Sequence, residues 1–333
     1  MIVVIGSMNL DRIARVERFP GAGETVAIGS LTSAPGGKGG NVAAAAARLG
    51  ARVAMVARVG TDADADVVVG ALAAAGVDVS RVEPSRQEAT GTAWIWVEAT
   101  GENRIGVLAG ANANLAPDVV ERLVAARPPL LGPKALVVLN LEIPVATVVR
   151  SIALAHAAGC RVVLNLSPVG ALGPEGLGPD DILVVNGPEA ALLAGTSTPT
   201  RREAALRLAA RLAMRGPGTV VITLGGQGAV AVRHSSRLST TAVRVQPIDT
   251  TGAGDAFLGA FVAALDRGLA LAQAIRVAVA AGAFTTTRPG AQGAQPNAEA
   301  LDRFGRAHGL DLPRLGPAAD GAGGAGAPPA DEG

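Results

Sequence analysis

Short apolar runs separated by segments of helical periodicity dominate the chain. Ile2 to Ile5 is a continuous β-branched run that ends at Gly6, and such runs are typical of parallel strands buried on both faces. From residue 117 onward strands and helices alternate strictly. This alternation predicts an α/β fold with a central, mainly parallel sheet flanked by helices on both faces. Further strands are predicted at Arg52–Val59, Ala135–Leu139, Val162–Leu166, Ile182–Val185 and Val220–Leu224.

Two segments depart from this rhythm. Residues 12–33 are irregular and strand-like, and residues 90–108 read as a hairpin whose turn contains Gly101, Glu102 and Asn103. Because an isolated hairpin is weakly stable, we expect both segments to form one small β-layer that serves as a lid or a dimer surface. We predict one folded domain over residues 1–313 and a disordered Gly, Ala and Pro tail over residues 314–333.

Polar residues follow the predicted strands at the same end. Any one of them is unremarkable, but ligands of open α/β sheets bind beyond the carboxyl ends of the strands. Four successive strands with polar groups there predict a site at this edge. The groups are Asn140 and Glu142, Asn165 and Ser167, Asn186 and Glu189, and Thr223 with the turn Gly225-Gly226-Gln227-Gly228.

The stretch from Asp249 to Phe257 carries the strongest chemical signal. Gly252 and Gly254 permit a tight turn just before an apolar helix, whose free N–H groups and dipole attract an anion. Asp255 lies on the first turn of that helix. An anion cradle beside a carboxylate suits phosphoryl transfer to an alcohol, which needs charge stabilisation and a base. A simple glycine-rich turn with an aspartate in the first helical turn is the alternative.

A second glycine-rich stretch, Pro35 to Asn41, precedes an alanine-rich helix. It is neither a P-loop, because Gly39 follows the lysine where Ser or Thr is required, nor a GxGxxG fingerprint. Its backbone can close on a small polar ligand, with Lys38 and Asn41 as donors. A glycine-rich helix entry without a ligand is the alternative. Asn9 and Asp11, after the first strand, are further candidates, although a loop also explains them.

Composition and charge exclude several classes of protein. The 333 residues include 29 Lys+Arg and 28 Asp+Glu, a formal charge of +1, and only 2% aromatic residues. Neither a basic stripe nor stacking platforms for nucleic acid are present, and no feature indicates binding to a membrane surface. A single cysteine, Cys160, excludes an intramolecular disulfide and a Cys-rich zinc site. The short apolar N-terminus and the absence of long apolar runs predict a soluble, cytoplasmic protein.

With these motifs placed, the chain resembles the ribokinase (PfkB) family of carbohydrate kinases from about Met1 to Phe304. The resemblance rests on several motifs in order, and it implies a ribokinase-like fold. The motifs, in chain order, are Gly6-Ser-Met-Asn9-Leu-Asp11, Gly36-Gly37-Lys38-Gly39-Gly40-Asn41, Gly101-Glu-Asn with Ala109-Gly-Ala-Asn112-Ala-Asn114, Leu141-Glu142-Ile-Pro144, Asn186-Gly-Pro-Glu189, Thr223-Leu-Gly225-Gly-Gln-Gly228, Asp249-Thr-Thr-Gly252-Ala-Gly254-Asp255 and Thr287-Arg288-Pro-Gly290-Ala.

The resemblance implies roles for individual residues. Asp255 would be the catalytic base, and Gly252, Ala253 and Gly254 would form the anion hole. A polar set would bind the sugar together with Asp255. That set is Asn9, Asp11, Gly37, Lys38, Asn41 and Glu142.

The same resemblance implies ATP, Mg²⁺ and K⁺ as cofactors. Asn186, Thr223, Gly225, Gly226, Gly228 and Gly254 would contact the nucleotide. Glu189, with Asn186, would organise Mg²⁺ through water, as the reluctant dehydration of magnesium favours. The monovalent-cation loop would comprise Asp249, Thr251, Thr285, Arg288 and Gly290.

Two departures from the family pattern stand out. Gly290 to Asn297 looks two residues longer than the pattern, which puts the last cation ligand in question. Val279 stands where a polar residue often lies near the adenine, which implies mostly apolar contacts to the base.

We therefore expect ATP-dependent phosphorylation of a sugar primary hydroxyl, with D-ribose favoured as the acceptor, by a homodimer paired through the β-lid. The alternatives are a kinase for another sugar or a nucleoside, a non-catalytic sugar sensor, and a dinucleotide-dependent oxidoreductase. The intact Asp255 argues against the sensor, and the missing GxGxxG argues against the oxidoreductase.

Overall fold

Two β-sheets organise the computed structural model, which describes residues 1–100, 102–170 and 172–316. The strands are β1 (Ile2–Ile5), β2 (Asn9–Val16), β3 (Ile28–Gly36), β4 (Val53–Val59), β5 (Asp78–Pro84), β6 (Gly91–Glu98), β7 (Asn103–Leu108), β8 (Leu136–Leu139), β9 (Arg161–Asn165), β10 (Ile182–Asn186), β11 (Thr219–Thr223), β12 (Ala229–Arg233) and β13 (Ser236–Thr240). The helices are α1 (Lys38–Arg48), α2 (Ala63–Ala74), α3 (Pro117–Ala125), α4 (Val145–Ala157), α5 (Gly187–Ala194), α6 (Arg202–Ala213), α7 (Ala253–Asp266), α8 (Leu271–Thr286) and α9 (Ala298–Ala307).

The large sheet has nine strands in the order β13-β12-β11-β10-β9-β8-β1-β4-β5. The seven strands from β11 to β5 pair in parallel, and β12 and β13 add an antiparallel edge. Strand β1 lies between β4 and β8, with Val4 opposite Met55 on one side and Val138 on the other. The predicted mainly parallel central sheet is confirmed.

Side chains of β1 alternate between two hydrophobic cores, as the period of a strand requires. Ile2 and Val4 pack with residues of α1, α7 and α8 on one face. Val3 and Ile5 pack with residues of α3, α4 and α6 on the other. All four are almost completely buried, which explains the uninterrupted β-branched run and confirms that helices cover both faces.

The small sheet has the order β3-β2-β6-β7. Its central pair β2 and β6 is parallel, and both outer pairs are antiparallel. The first segment of the small sheet was predicted to begin at residue 12, but β2 begins at Asn9. Asn9 and Asp11 therefore lie on a strand rather than in a loop. Gly101 of the predicted turn and residues 317–333 of the predicted tail lie outside the described residues.

The edge strands of the large sheet, β5, β12 and β13, were not predicted from the sequence. Strand β5 carries polar residues at most positions, ends at Pro84 and is only partly buried, which is typical of an edge. Strands β12 and β13 form an antiparallel hairpin of five-residue strands, so the alternation of helix and strand after residue 117 is not strict. Within the described residues, the helices are all too short or too polar to span a bilayer.

Candidate active site

The N-termini of α1 and α7 meet beside the carboxyl end of β1. Asn41, on the first turn of α1, donates its side-chain Nδ2 to Oδ2 of Asp255, on the first turn of α7, at 2.8 Å. Both residues are more than nine-tenths buried. The structure therefore joins the two glycine-rich stretches of the sequence into one site.

Lys38 supplies the positive charge of this site. Its Nζ lies 3.8 Å from Oδ1 of Asp255. The pKa of Lys38 is raised mainly by Asp255, with further contributions from Glu142 and Glu189, which together outweigh the opposing effect of burial. The ammonium is thus held in its charged form among three carboxylates.

Glu142 is fixed by two donors from neighbouring elements. Its Oε2 accepts hydrogen bonds from Oγ of Ser7 at 2.6 Å and from the backbone N–H of Lys38 at 3.0 Å. The N–H of Glu142 donates in turn to Oδ1 of Asn140 at 3.0 Å. Ser7 and Asn140 therefore position Glu142.

Asp11 faces the same cluster from the small sheet. Burial is the main cause that raises its pKa to about 7, and the negative charges of Glu142 and Asp255 add to it. Gly36 pairs with Asn9 on the adjacent strand, and a Cβ at Gly36 would overlap the Asp11 carboxylate. The next residue, Gly37, has φ of 80°, a conformation that glycine adopts without strain.

Asn112 is a site component to which the sequence analysis assigned no role. Its Nδ2 donates to Oδ1 of Asn9 at 2.7 Å, and its Oδ1 accepts from the backbone N–H of Met8 at 2.9 Å. It is 2% exposed. Asn112 thus orients Asn9, and its place in the Ala109–Asn114 motif was the signal that pointed to it.

One face of the small sheet extends the site with apolar side chains. Asp11 pairs with Ala93, and Ile13 pairs with Ile95 on the next strand. Val107 and Ile105 lie opposite these partners on β7. Because residues two apart on a strand share a face, this set lies on the same side as Asp11. The alternation from Thr90 to Val97 was the signal for it.

The first turn of α7 presents backbone donors. Gly252 caps the helix in the left-handed conformation, with φ of 71°. Within the described residues, the N–H groups of Gly252 and Gly254 donate to no protein acceptor, whereas the N–H of Ala253 lies 3.3 Å from the carbonyl of Thr250. Open N–H groups at a helix start, with the helix dipole behind them, bind anions.

A cavity of about 730 Å³ opens beside this turn, a volume within the usual range for small-molecule sites. All six residues predicted to contact a nucleotide line it, namely Asn186, Thr223, Gly225, Gly226, Gly228 and Gly254. Val279 and Phe257 contribute to the largely apolar wall. Residues of an irregular segment, Ala242 to Val245 and Pro247, also line the cavity. The sequence did not predict them because this segment has no regular hydrophobic period.

Asn186 and Glu189 form a reciprocal cap at the start of α5. Oδ1 of Asn186 accepts from the N–H of Glu189, and Oε2 of Glu189 accepts from the N–H of Asn186, both at 2.8 Å. Within the described residues, the structure contains no group of three or more His, Cys, Asp or Glu side chains able to hold a metal ion directly. A carboxylate fixed beside Asn186, which lines the cavity, suits a hydrated magnesium ion, which keeps several of its waters.

The predicted cation loop is assembled in part. Burial raises the pKa of Asp249, but hydrogen bonds from Thr251 and from the N–H of Gly290 outweigh it and hold that pKa below its usual value. Thr285 turns its hydroxyl to the carbonyl of Ala281, and Arg288 stacks on Phe284. Both side chains engage protein partners, and the backbone carbonyls of these residues suit the ligands that the resemblance implies for K⁺.

The family model described as pfkB family carbohydrate kinase matches residues 1–298. The chain is 36% identical to a ribokinase of Haemophilus influenzae over 303 residues, covering 91% of this chain and 97% of that protein. The chain belongs to the pfkB family of carbohydrate kinases.

Further comparisons bear on this membership. A deoxyribokinase of Salmonella typhi is 33% identical over 305 residues, covering 91% of this chain and 98% of that protein. The structure of the Arabidopsis thaliana ribokinase complexed with ribose and ATP superimposes with a TM-score of 0.81 at 29% identity, covering 91% and 97% of the two chains. The predicted family and the predicted ribokinase-like fold are confirmed, and the chain is a phosphotransferase that acts on a sugar hydroxyl.

Proposed function

We propose that this pfkB-family chain transfers the γ-phosphoryl group of ATP to the primary hydroxyl of D-ribose and forms D-ribose 5-phosphate. The observation that carries the proposal is the position of Asp255. Its carboxylate contacts Asn41 and Lys38 on one side, and the preceding residue, Gly254, lines the 730 Å³ cavity on the other. A base between a polyol cluster and a nucleotide-sized cavity suits this reaction.

In the proposed reaction, Asp255 takes the proton of the sugar hydroxyl. The sugar oxygen bonds to the γ-phosphorus, and the bond from that phosphorus to the bridging β,γ-oxygen breaks, so that ADP leaves with the electron pair. The open N–H groups of Gly252 and Gly254 stabilise the charge on the transferring group, an effect worth about 3 kcal/mol per donor in other enzymes. Lys38 adds a positive charge on the sugar side.

Binding of the sugar falls to the polar cluster around that base. Asn9, Asp11, Asn41 and Glu142 provide acceptors and donors for hydroxyl groups, and the backbone of Gly37 allows close approach. The apolar face of the small sheet that includes Ile95 and Val107 would cover the sugar and exclude water, which strengthens the electrostatic interactions beneath it.

Nucleotide binding falls to the cavity residues named above. When bound, Mg²⁺ would neutralise phosphate charge, with Glu189 and Asn186 holding its water shell. K⁺ would be held by Asp249, Thr251 and backbone groups of Thr285, Arg288 and Gly290, and would fix the shape of the anion hole. Asn297 accepts the N–H of Ala300 as the cap of α9, so its side chain serves the helix.

We further propose that residues 1–313 act as one kinase unit and that two copies pair through the small sheet. Half of the exposed large apolar residues found in the described chain lie on the strands of that sheet. They are Ile28, Leu31, Trp94, Ile105, Val107 and Leu108. The register places Leu31, Trp94 and Leu108 on the face opposite Asp11, whereas Ile105 and Val107 lie on the Asp11 face. Exposed apolar residues on the face opposite Asp11 are typical of an interaction surface.

A second candidate acceptor is 2-deoxyribose, because a deoxyribokinase lies among the similar proteins at 33% identity. The test is ADP release from Mg-ATP across a panel of ribose, 2-deoxyribose, fructose and adenosine, with and without K⁺. Ribose should give the highest kcat/KM, and K⁺ should raise the rate. Turnover confined to another acceptor would refute the choice of ribose, and sugar binding without any turnover would favour a sensor.

A further inference from the structure

Two buried glutamines lie on the segment that connects α8 to α9. Gln292 and Gln295 are 4% and 6% exposed. The preceding residue, Ala291, packs so closely on Gly252 that a Cβ at Gly252 would contact it at 2.9 Å. The segment therefore touches the anion-hole turn, and its two glutamine side chains extend toward α1.

Arg48, in the last turn of α1, holds both glutamines. Its Nη1 donates to the backbone carbonyl of Gln292 and lies 3.4 Å from Oε1 of Gln295. Burial lowers the pKa of Arg48, and no carboxylate lies within 4 Å of its guanidinium in the part of the chain that the structure describes. Amide oxygens are thus its compensating partners.

The donors and acceptors from Arg48 through Gln295 and Asn41 to Asp255 can be assigned in only one way. Arginine can only donate, so Oε1 of Gln295 faces Arg48 and its Nε2 faces the opposite way. That Nε2 donates to the backbone carbonyl of Asn41 at 2.9 Å. Asn41 then donates its own Nδ2 to Asp255 at 2.8 Å.

We propose that Gln295 is a positioning residue for the phosphoryl-transfer step, acting through Asn41 on Asp255, with Arg48 fixing its orientation. The inference rests on the proposed function. Gln295 touches neither sugar nor nucleotide in this assignment. Its effect arises because a base displaced by a fraction of an ångström loses the alignment that transfer requires.

The decisive variant is Gln295→Glu. The carboxylate still accepts from Arg48 and replaces the amide atom for atom, but it has no donor for the carbonyl of Asn41. We expect kcat to fall roughly 5- to 20-fold while the Kd values for ribose and ATP stay close to those of the wild type, and we expect a lower Tm because two buried oxygens then face each other. A Gln295→Glu enzyme with the wild-type kcat would overturn the assignment.

A double-variant comparison separates positioning from general damage. In an Asp255→Asn background, Gln295→Glu should leave the residual kcat unchanged, because the group that it positions is already disabled. An equal loss in both backgrounds would show a structural effect and refute the proposal. Arg48→Met should lower kcat as Gln295→Glu does, and the two losses should not add.

Gln273 provides a matched control. It lies at the start of α8, where its side chain accepts the N–H of Ala270, about 20 Å along the helix from the loop at the other end. Gln273→Glu makes the same chemical change as the test variant, and kcat should remain that of the wild type.

A readout that needs no turnover distinguishes this inference from the proposed function. In protein labelled with ¹⁵N-asparagine, Asn41→Asp identifies the side-chain amide resonance of Asn41. We expect slow hydrogen exchange of that amide in the wild type and exchange at least tenfold faster in Gln295→Glu. If the wild type phosphorylates no sugar, the proposed function fails. The exchange rate still tests whether Gln295 holds Asn41 in place, because it needs no turnover. Equal exchange rates in the wild type and in Gln295→Glu would refute the role of Gln295.

Discussion

Asn41 Nδ2 lies 2.8 Å from Asp255 Oδ2 although 214 residues separate them in the sequence. This bond joins the start of α1, which follows Gly36 and Gly37, to the start of α7, where the proposed anion hole lies. The orientation of the proposed base is therefore set by α1, which carries proposed sugar-binding residues, so the two proposed roles share one buried contact.

Replacing Asp255, the proposed base, should abolish most of the activity. Asp255→Asn is nearly isosteric and can still face Asn41 and Lys38, but it cannot take the proton. We expect kcat to fall by about 10² or more with little change in the Kd for the sugar. Steady-state kinetics and calorimetry of sugar binding check this, and a variant with near-normal kcat would show that another group is the base.

Asp11 should make sugar binding depend on pH. Its pKa is raised to about 7 by burial and by Glu142 and Asp255, and only the ionised carboxylate accepts hydroxyl donors with both oxygens. We expect kcat/KM for the sugar to fall below pH 7, while KM for ATP changes little. If Asp11→Asn retains the same acidic limb, the limb belongs to another group.

The same carboxylate should lower the stability of the empty protein at alkaline pH. A raised pKa means that the folded state binds the proton more tightly than the unfolded state, so the stability contributed by protonation is complete below the unfolded pKa near 4 and is lost as the pH rises through 7. Without sugar, Asp11→Asn should therefore raise the free energy of unfolding by about 1–3 kcal/mol at pH 8. The gain should shrink toward pH 5, as measured by urea denaturation, and a constant gain would contradict this.

Gly36→Ala should damage sugar binding selectively. The added Cβ would overlap the carboxylate of Asp11, so we expect KM for the sugar to rise at least tenfold while the Kd for ATP is unchanged. Gly70, inside α2, has open space around the same added atom. Gly70→Ala is the control and should leave KM unchanged and add about 0.5–1 kcal/mol of stability.

The small sheet should govern oligomeric state. Leu108 is 59% exposed on β7, and Leu108→Lys places a charge within the apolar patch. We expect the wild type to sediment as a dimer and this variant as a monomer. Met214, 81% exposed at the end of α6, provides the control, since Met214→Lys should remain dimeric. A monomeric wild type would refute the proposed pairing.

The central sheet was predictable because each of its inner strands is buried on both faces and leaves a continuous apolar run. The edges were not, because β5 and the β12–β13 hairpin are partly polar or short, and their pairing depends on neighbours distant in sequence. Within the site, Asp255, Lys38 and the glycines of the cavity could be predicted because each lies in a short glycine-rich motif of the sequence.

The supporting residues have no local signature. Ser7 holds Glu142 across 135 residues, and Gln295 reaches Asn41 across 254. Such contacts exist only after the sheet has formed. For Ile95 the alternation from Thr90 to Val97 predicted a strand, but only the register of β6 with its neighbours places Ile95 and Val107 on the face of Asp11.

Strand order fixes the place of the site more firmly than any loop does. The chain moves from β1 outward to β4 and β5, then returns to the other flank of β1 through β8 and winds away toward β11. The connections on the two flanks lie on opposite faces, so a crevice opens at this topological switch point. Substitutions in the surrounding loops can thus change which acceptor is bound. The location of the crevice stays the same, because it depends on the order of the strands in the sheet.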